Sequence, residues 1–331
     1  MKVLRKVVAA AVLLAFMGGI AACSGRSGKD VAQIGDVKYK TLQEAVKAAP
    51  DNCVIELLTD ITESVEIGSK TFTINLNDNT ISGGTVDQTD VAHPNTLVVN
   101  TGAHITLNGP GVIDGSENAI LVCGGDLTVN GSTVLGSKIA LLIADGGTAT
   151  VNDALIGLTS EIVDGKAMGS DFKCDGCVVD SGSLTFNSGS IGGNKIGVFL
   201  SPEGEFHMNG GAIAAGMFGV FLDNLDVEDN IPVFEMTGGT VDSGFALLMG
   251  EGGRASISGG TLTGHTGDCL ANDYTQAQLT NGTYSDIPGE LNITGGTFIC
   301  TGGFVPFDEE RVTIPGSVSL IKDNNTTWRV E

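Results

Sequence analysis

From about residue 70 onward, apolar and polar positions alternate in short bursts. Each burst is closed by a Gly-rich pair, a small residue and one further apolar residue. Leu184-Thr185-Phe186-Asn187-Ser188-Gly189-Ser190-Ile191, Phe206-His207-Met208-Asn209-Gly210-Gly211-Ala212-Ile213 and Leu291-Asn292-Ile293-Thr294-Gly295-Gly296-Thr297-Phe298 show the form. Period-two alternation interrupted by glycine reads as short strands separated by sharp bends. Aligning the copies on the closing residue gives Ile81, Val112, Val134, Ile156, Ile191, Ile213, Val241, Leu262 and Phe298, at intervals of 31, 22, 22, 35, 22, 28, 21 and 36. A unit of about 22 residues therefore recurs and sometimes carries an insertion. A second apolar stretch follows some seven residues after the anchors, as at Ala140 to Ile143, Gly197 to Leu200, Gly219 to Leu222 and Ala246 to Met249. Two or three strands per unit predict an all-β solenoid, a parallel β-helix of about nine coils; the 49 glycines would sit poorly in helices.

A single coil cannot bury its inward row, so stability has to come from neighbours above and below. Each fully buried Val, Leu or Ile contributes roughly 1.5 to 3 kcal/mol, and eight intervals at the strand spacing span roughly 38 Å. Asn130, Asn152, Asn187 and Asn209 recur at one position, where an internal ladder bonding backbone between coils is expected. The rod's ends need caps. An N-terminal cap over residues 31–60 is legible: Thr41-Leu42-Gln43-Glu44 forms a capping box, and Leu42, Ala45, Val46 and Ala49 make one helical stripe that Pro50 ends. A C-terminal cap over 304–331 is expected from Val312 to Ile314, Val318 to Ile321 and Trp328 to Val330, which includes the sole Trp of the chain.

The first 22 residues stand apart. Lys2, Arg5 and Lys6 precede an apolar run from Val7 to Ile20 that is short for a membrane span. The following Ala21-Ala22-Cys23 resembles the lipobox of bacterial lipoproteins. That resemblance implies removal of 1–22, acylation of Cys23, a tether over 23–30, and a single domain over 31–331. The chain would sit in the cell envelope, facing the surface or the periplasm, and on the outer membrane if the cell is Gram-negative. Lipid holds a protein through buried methylenes, at about 0.8 kcal/mol each. Without the leader, 14 basic residues face 39 acidic ones, a net charge of −25. Such a field excludes nucleic acid as a partner and repels polyanionic polysaccharide.

Six cysteines remain besides Cys23, an even number that permits disulfides in an exported chain, with 15 possible connectivities, though a full framework is not expected. Cys177 and Cys269 fall where other repeats have Leu141, Val198, Val220 and Leu247, and read as small buried hydrophobes. Cys174-Asp175-Gly176-Cys177 has the spacing of half a zinc site, without a second pair at finger spacing.

The repeat, with the opening VAQIGDVKYKTLQEAVKAAPDNCVIELLTDITES, resembles right-handed, single-stranded parallel β-helix proteins of the pectate-lyase-like superfamily, in its bacterial cell-surface branch. The resemblance covers roughly residues 31 to 331. That superfamily includes polysaccharide lyases, glycoside hydrolases and adhesins. Its enzyme motifs are missing here: the chain has no Asp-Asp pair, no Gly-His-Gly and no Arg-x-Lys, and offers only Gly264-His265-Thr266.

The insertions supply the spatial lead. Extra residues around Asp87 to Asn95 and Thr159 to Asp175 enter before the middle strand, and those around Asp223 to Pro232 and Asn272 to Gly289 enter after it, at another corner. At that corner, Glu203, Asp223, Glu251 and Asp273 place a carboxylate ten to twelve residues past each anchor, echoed by Asp145. Glu203, Glu251, Tyr274 and Tyr284 are the candidate ligand-binding residues of a sugar or cation groove. Asp223, Glu251 and Asp273 are candidate catalytic carboxylates, since stacking would bring them roughly 5 Å apart, near the separation in retaining glycosidases. Coil spacing alone gives that distance to any acidic turn. No cofactor is required; Asp223, Asp226, Glu228 and Asp229 are candidate Ca²⁺ ligands, in a loop that lacks EF-hand spacing. Lys138 and Lys195 both lie four residues past their anchors, and the four histidines share no repeat position. The function expected is noncatalytic adhesion or glycan binding by a lipid-anchored rod. The alternatives are a carbohydrate-active enzyme in a groove at the acidic turns and a structural envelope protein without a discrete ligand.

Overall fold

Parallel hydrogen-bonded pairing between successive turns of chain defines the architecture. The computed structural model describes residues 29–83, 95–158, 162–163, 166–167, 175–193, 195–223, 230–249, 253–266, 269–272, 277–278, 284–285, 290–301 and 319–330. Among the described residues its strands form two 12-stranded sheets and one 9-stranded sheet, built of strands that recur once per turn with antiparallel strands added at the ends of the two larger sheets, and two separate two-stranded hairpins. Every coil runs through the first, second and third sheet in that order, as in Thr71–Asn75, Thr80–Ser82 and Asn95–Asn100. The nine strands of the third sheet mark nine complete coils, and Glu290–Ile293 with Gly296–Cys300 begins a tenth. The chain is a parallel β-helix, as the 22-residue repeat predicts.

The core is a set of stacked rows. In the second sheet Ile61, Ile81, Ile113, Val134 and Ile156 pair in succession, then Ile191, Ile213, Val241, Leu262 and Phe298. All are buried. One anchor needs correction: Ile113, not Val112, stacks on Ile81, while Val112 pairs with Thr80 and is half-buried. The Gly109-Pro110-Gly111 turn is followed by two apolar residues, and alternation decides which faces inward. In the first sheet the inward rows are largely aliphatic, with a stacked aromatic pair where Phe206 and Phe234 meet, rings 5.3 Å apart and 15° from parallel. The corner between the second and third sheets is tight. A Cβ on Gly136 would overlap the carbonyl of Ile139, and one on Gly193 the carbonyl of Ile196.

The asparagine ladder exists but differs from the expectation. It begins earlier, at Asn75 and Asn108, and runs side chain to side chain on the outside of the first sheet's corner, where its members are half-buried or exposed. Nδ2 of Asn108 donates to Oδ1 of Asn75 at 3.1 Å, and Asn130, Asn152, Asn187 and Asn209 continue the chain at 2.8 to 3.0 Å. Glu56 accepts from Asn75 at one end, and Thr237 donates to Asn209 at the other. Side chains beside Gly-rich bends point outward because the inward positions are taken by the apolar rows.

Both ends are closed by strands that reverse direction. Helix α1, Leu42–Ala48, buries Leu42, Ala45 and Val46, and Thr41 Oγ1 accepts from the Glu44 backbone N–H at 3.0 Å. Glu63, from the first coil, accepts from the N–H groups of Leu42 and Gln43 at 2.8 and 3.0 Å, tying the helix to the rod. Ala32–Ile34 runs antiparallel to Cys53–Leu57, with Val37–Tyr39 antiparallel beyond it. At the far end Thr327–Val330 lies antiparallel to Gly296–Cys300, setting Trp328 opposite Phe298, and Leu320–Lys322 pairs outside it. Val312 to Ile314 and Val318 lie outside the described residues, as do 1–28 with Cys23.

The corrected register gives a direct test. Ile113→Ala should destabilise by about 2 to 5 kcal/mol, whereas Val112→Ala should cost no more than about 1 kcal/mol. Urea unfolding followed by circular dichroism compares the two; equal losses would contradict the stacking described.

Candidate functional site

The third sheet departs from ordinary solenoid patterning. Its strands Asn118–Cys123, Ile139–Ala144, Ile196–Leu200, Phe218–Leu222 and Phe245–Met249 are apolar almost throughout. A strand with one wet face alternates, so a continuous apolar run predicts cover on both faces. Here the outward residues pair in one line, Val98, Leu121, Leu142, Val178, Phe199, Phe221 and Leu248. Apart from Val178, which is buried, each is half-buried. Six strand spacings make the line roughly 29 Å long. The corresponding outward line on the first sheet reads Thr73, Thr106, Thr128, Thr150, Thr185 and His207.

The line is aromatic in its C-terminal half. The rings of Phe199 and Phe221 meet edge to face, 5.4 Å apart at 76°. Phe218, three residues before Phe221 in the same strand, lies 5.5 Å from Phe221 and 5.8 Å from Phe245. Met217, in the turn leading to these rings, is 42% exposed. One edge of the apolar line carries polar positions: Asn100 ends its strand and Asp180, Ser201 and Asp223 follow theirs, with Cys123 and Ala144 in the same register between them, and Asp223 donates its N–H to the Leu200 carbonyl at 2.9 Å. The insertions bracket this sheet. Residues 84–94 and 159–174 join the second sheet to the third, and 224–229 and 273–289 join the third to the first, at the two corners expected from the sequence.

The predicted site residues divide between the described and undescribed chain. Glu251, Asp273, Tyr274, Asp226, Glu228 and Asp229 lie outside the described residues. Tyr284 belongs to Tyr284–Ser285, which pairs antiparallel with Ala277–Gln278. Asp223 is 7% exposed, at the start of an insertion. Glu203 is exposed, has φ +71°, and accepts a hydrogen bond from Asn230 at the far side of that insertion. Glu203 and Asp223 are on adjacent coils but not in one register: Leu200 pairs with Leu222, which sets Asp223 opposite Ser201 and leaves Glu203 two residues further round its turn. Glu203 lies twelve residues past Ile191 and Asp223 ten past Ile213, and those two residues are the offset between their registers. Asp145 accepts from the Cys123 thiol at 3.0 Å. Lys138 and Lys195 do share a register, but Lys138 is paired with Glu117 at 2.8 Å.

Two contacts escaped the sequence reading because they join residues about 23 to 36 positions apart. His265 Nε2 lies 2.6 Å from Asp242 Oδ1 and its Nδ1 lies 3.0 Å from Thr301 Oγ1, although the histidines gave no sign of a relay. The His265 and Asp242 side chains are 46% and 52% exposed, so the relay is bathed in water and lacks the enclosed setting in which such groups activate a nucleophile. His104 and His207 likewise bridge to Asp126 and Glu235 of the next coil. Among the described residues, no group of three or more His, Cys, Asp or Glu side chains could hold a metal ion. Cys177 pairs with Leu141 and Val198 and is fully buried, as expected of a small hydrophobe. Cys174 lies outside the described residues. Cys269 does not take the position of Leu247: Leu270 does, which sets Cys269 opposite Ala246.

No protein-family model matches the chain, and neither a curated protein nor a solved structure is found to match it.

Burial pushes the Cys123 thiol up to about 12, with the Asp145 carboxylate raising it further. Only roughly one such thiol in 10⁴ is ionised at pH 8. Native protein treated with iodoacetamide at pH 8 should therefore leave Cys123 unmodified, while urea-unfolded protein should react there; peptide mass mapping reads both.

Proposed function

We propose that the chain is a noncatalytic binding rod of the cell envelope, held by lipid on Cys23, that lays an elongated neutral glycan along the outer face of its third sheet. The apolar line from Val98 to Leu248, with the Phe199, Phe218, Phe221 and Phe245 cluster, is the observation that carries this reading. Aromatic faces offer flat apolar contact to the C–H faces of sugar rings, and the Asn100, Asp180, Ser201 and Asp223 edge offers hydrogen-bond partners to their hydroxyls. A line roughly 29 Å long suits an extended chain better than a small molecule. The net charge of −22 over the full sequence favours a neutral polymer over an acidic one. The resemblance of the repeat to pectate-lyase-like surface proteins fits this role, and the missing lyase and hydrolase motifs favour binding without cleavage. Relative to the sequence-based groove, the reading moves the contact surface from the acidic turns to the sheet between the insertions. Ca²⁺ bound at the Asp223 loop would act at the edge of that surface.

A panel of neutral and acidic glycans, screened for binding and cleavage together with Ca²⁺ or with chelator, tests this. At least one neutral glycan should bind, and Phe199→Ala/Phe221→Ala should weaken it roughly tenfold or more with an unchanged circular dichroism spectrum. Release of reducing ends or of ultraviolet-absorbing unsaturated products, lost in Glu251→Gln, would establish an enzyme instead. Silence across the panel together with an envelope defect on deletion would leave a structural role.

A further inference from the structure

Space at the corner between the second and third sheets is scarce. The second-sheet strand ends on Gly115, Gly136 or Gly193 in coils where an added Cβ would overlap the backbone, and on Gly264 in the ninth coil, while the second residue of the third-sheet strand is Ala140, Gly219 or Ala246. At the C-terminal end of the rod both positions become cysteine. Cys300 pairs directly with Gly264, and Cys269, on the same coil as Gly264, falls opposite Ala246. Each is completely buried. Their sulfur atoms are 2.7 Å apart, and Cys269 Sγ is also 3.0 Å from the Ile299 carbonyl oxygen. Two unbonded sulfurs do not settle so close together, whereas a disulfide bond measures about 2.05 Å. A shift of well under 1 Å would join them.

We propose that Cys269 and Cys300 form a disulfide that locks the tenth, incomplete coil to the ninth and closes a loop around the 273–289 insertion. The proposal does not depend on the glycan reading. The oxidant is a disulfide of the thiol-exchange class, such as oxidised glutathione or an oxidised dithiol protein. One cysteine thiolate attacks that acceptor, forming a mixed disulfide and expelling one thiolate, which takes up a proton. The second cysteine loses its proton and attacks the protein sulfur of the mixed disulfide, expelling the second acceptor thiol. Two protein thiols are oxidised and one acceptor disulfide is reduced to two thiols. Because both sulfurs are enclosed once the last coil has docked, the exchange takes place on the open coil during folding. The finished bond is then screened from reductant.

The test folds the full chain in a glutathione redox buffer, denatures it with N-ethylmaleimide present and no reductant, and maps the peptides. A peptide linked through Cys269 and Cys300, with Cys53, Cys123 and Cys177 carrying the label, is the expected result. Recovery of Cys269 and Cys300 as labelled thiols would overturn the proposal. The variant Cys269→Ala/Cys300→Ala, whose residues suit the corner, keeps the idea exposed to failure. Its melting temperature should fall by roughly 5 to 10 °C below the oxidised parent and should not respond to reductant. An oxidised parent that melts with the variant would count against the bond.

Discussion

Everything in this molecule depends on one constraint: each coil must lie on the previous one in register, so that a backbone ladder and an apolar row are satisfied together. The constraint is mutual. A strand slipped by one residue would turn its inward Ile, Val or Phe to the outside. Ile113 rather than Val112 continues the row for that reason, although the two are neighbours of similar character. The outer asparagine ladder obeys the same spacing, each amide donating to the one before it, so a polar chain reinforces the register that the apolar core sets. At the ends the constraint cannot be met by another coil, and antiparallel strands take over, backed by a short helix at one end and by Trp328 at the other.

A solenoid needs only its inward rows to be apolar, so the outside is free to vary, and the three sheets use that freedom differently. The first presents threonine and asparagine in lines, and the third presents leucine, valine and phenylalanine. The insertions enter at both corners of the third sheet. A scaffold that tolerates extra residues at any corner carries them where the exterior is least suited to water, and this concentration of two independent departures from the repeat is what supports the proposal that the third sheet is a contact surface.

The solenoid, its nine coils, both insertion corners and the capping box were legible because they are written in local periodicity and spacing. The site was only half legible. The apolar stretches at Gly197 to Leu200 and Gly219 to Leu222 were visible in the sequence, yet their meaning, apolar on both faces, depends on which residues alternate outward. Grouping carboxylates ten to twelve residues past the anchors put Glu203 and Asp223 together, but the two-residue difference between them sets them in different registers. Cys269 was displaced by one position in the same way.

By itself the sequence determined a period, and with it a coil, a stacking direction and the places where the period lengthens, because those follow from covalent order and the alternation of side chains along a strand. The tertiary structure decided which side chains share a row across coils: Ile113 with Ile81, Phe199 with Phe221, His265 with Asp242, and Cys269 beside Cys300. These pairs are brought together only when the coils dock, and a single added or missing residue in a turn shifts which pair is made.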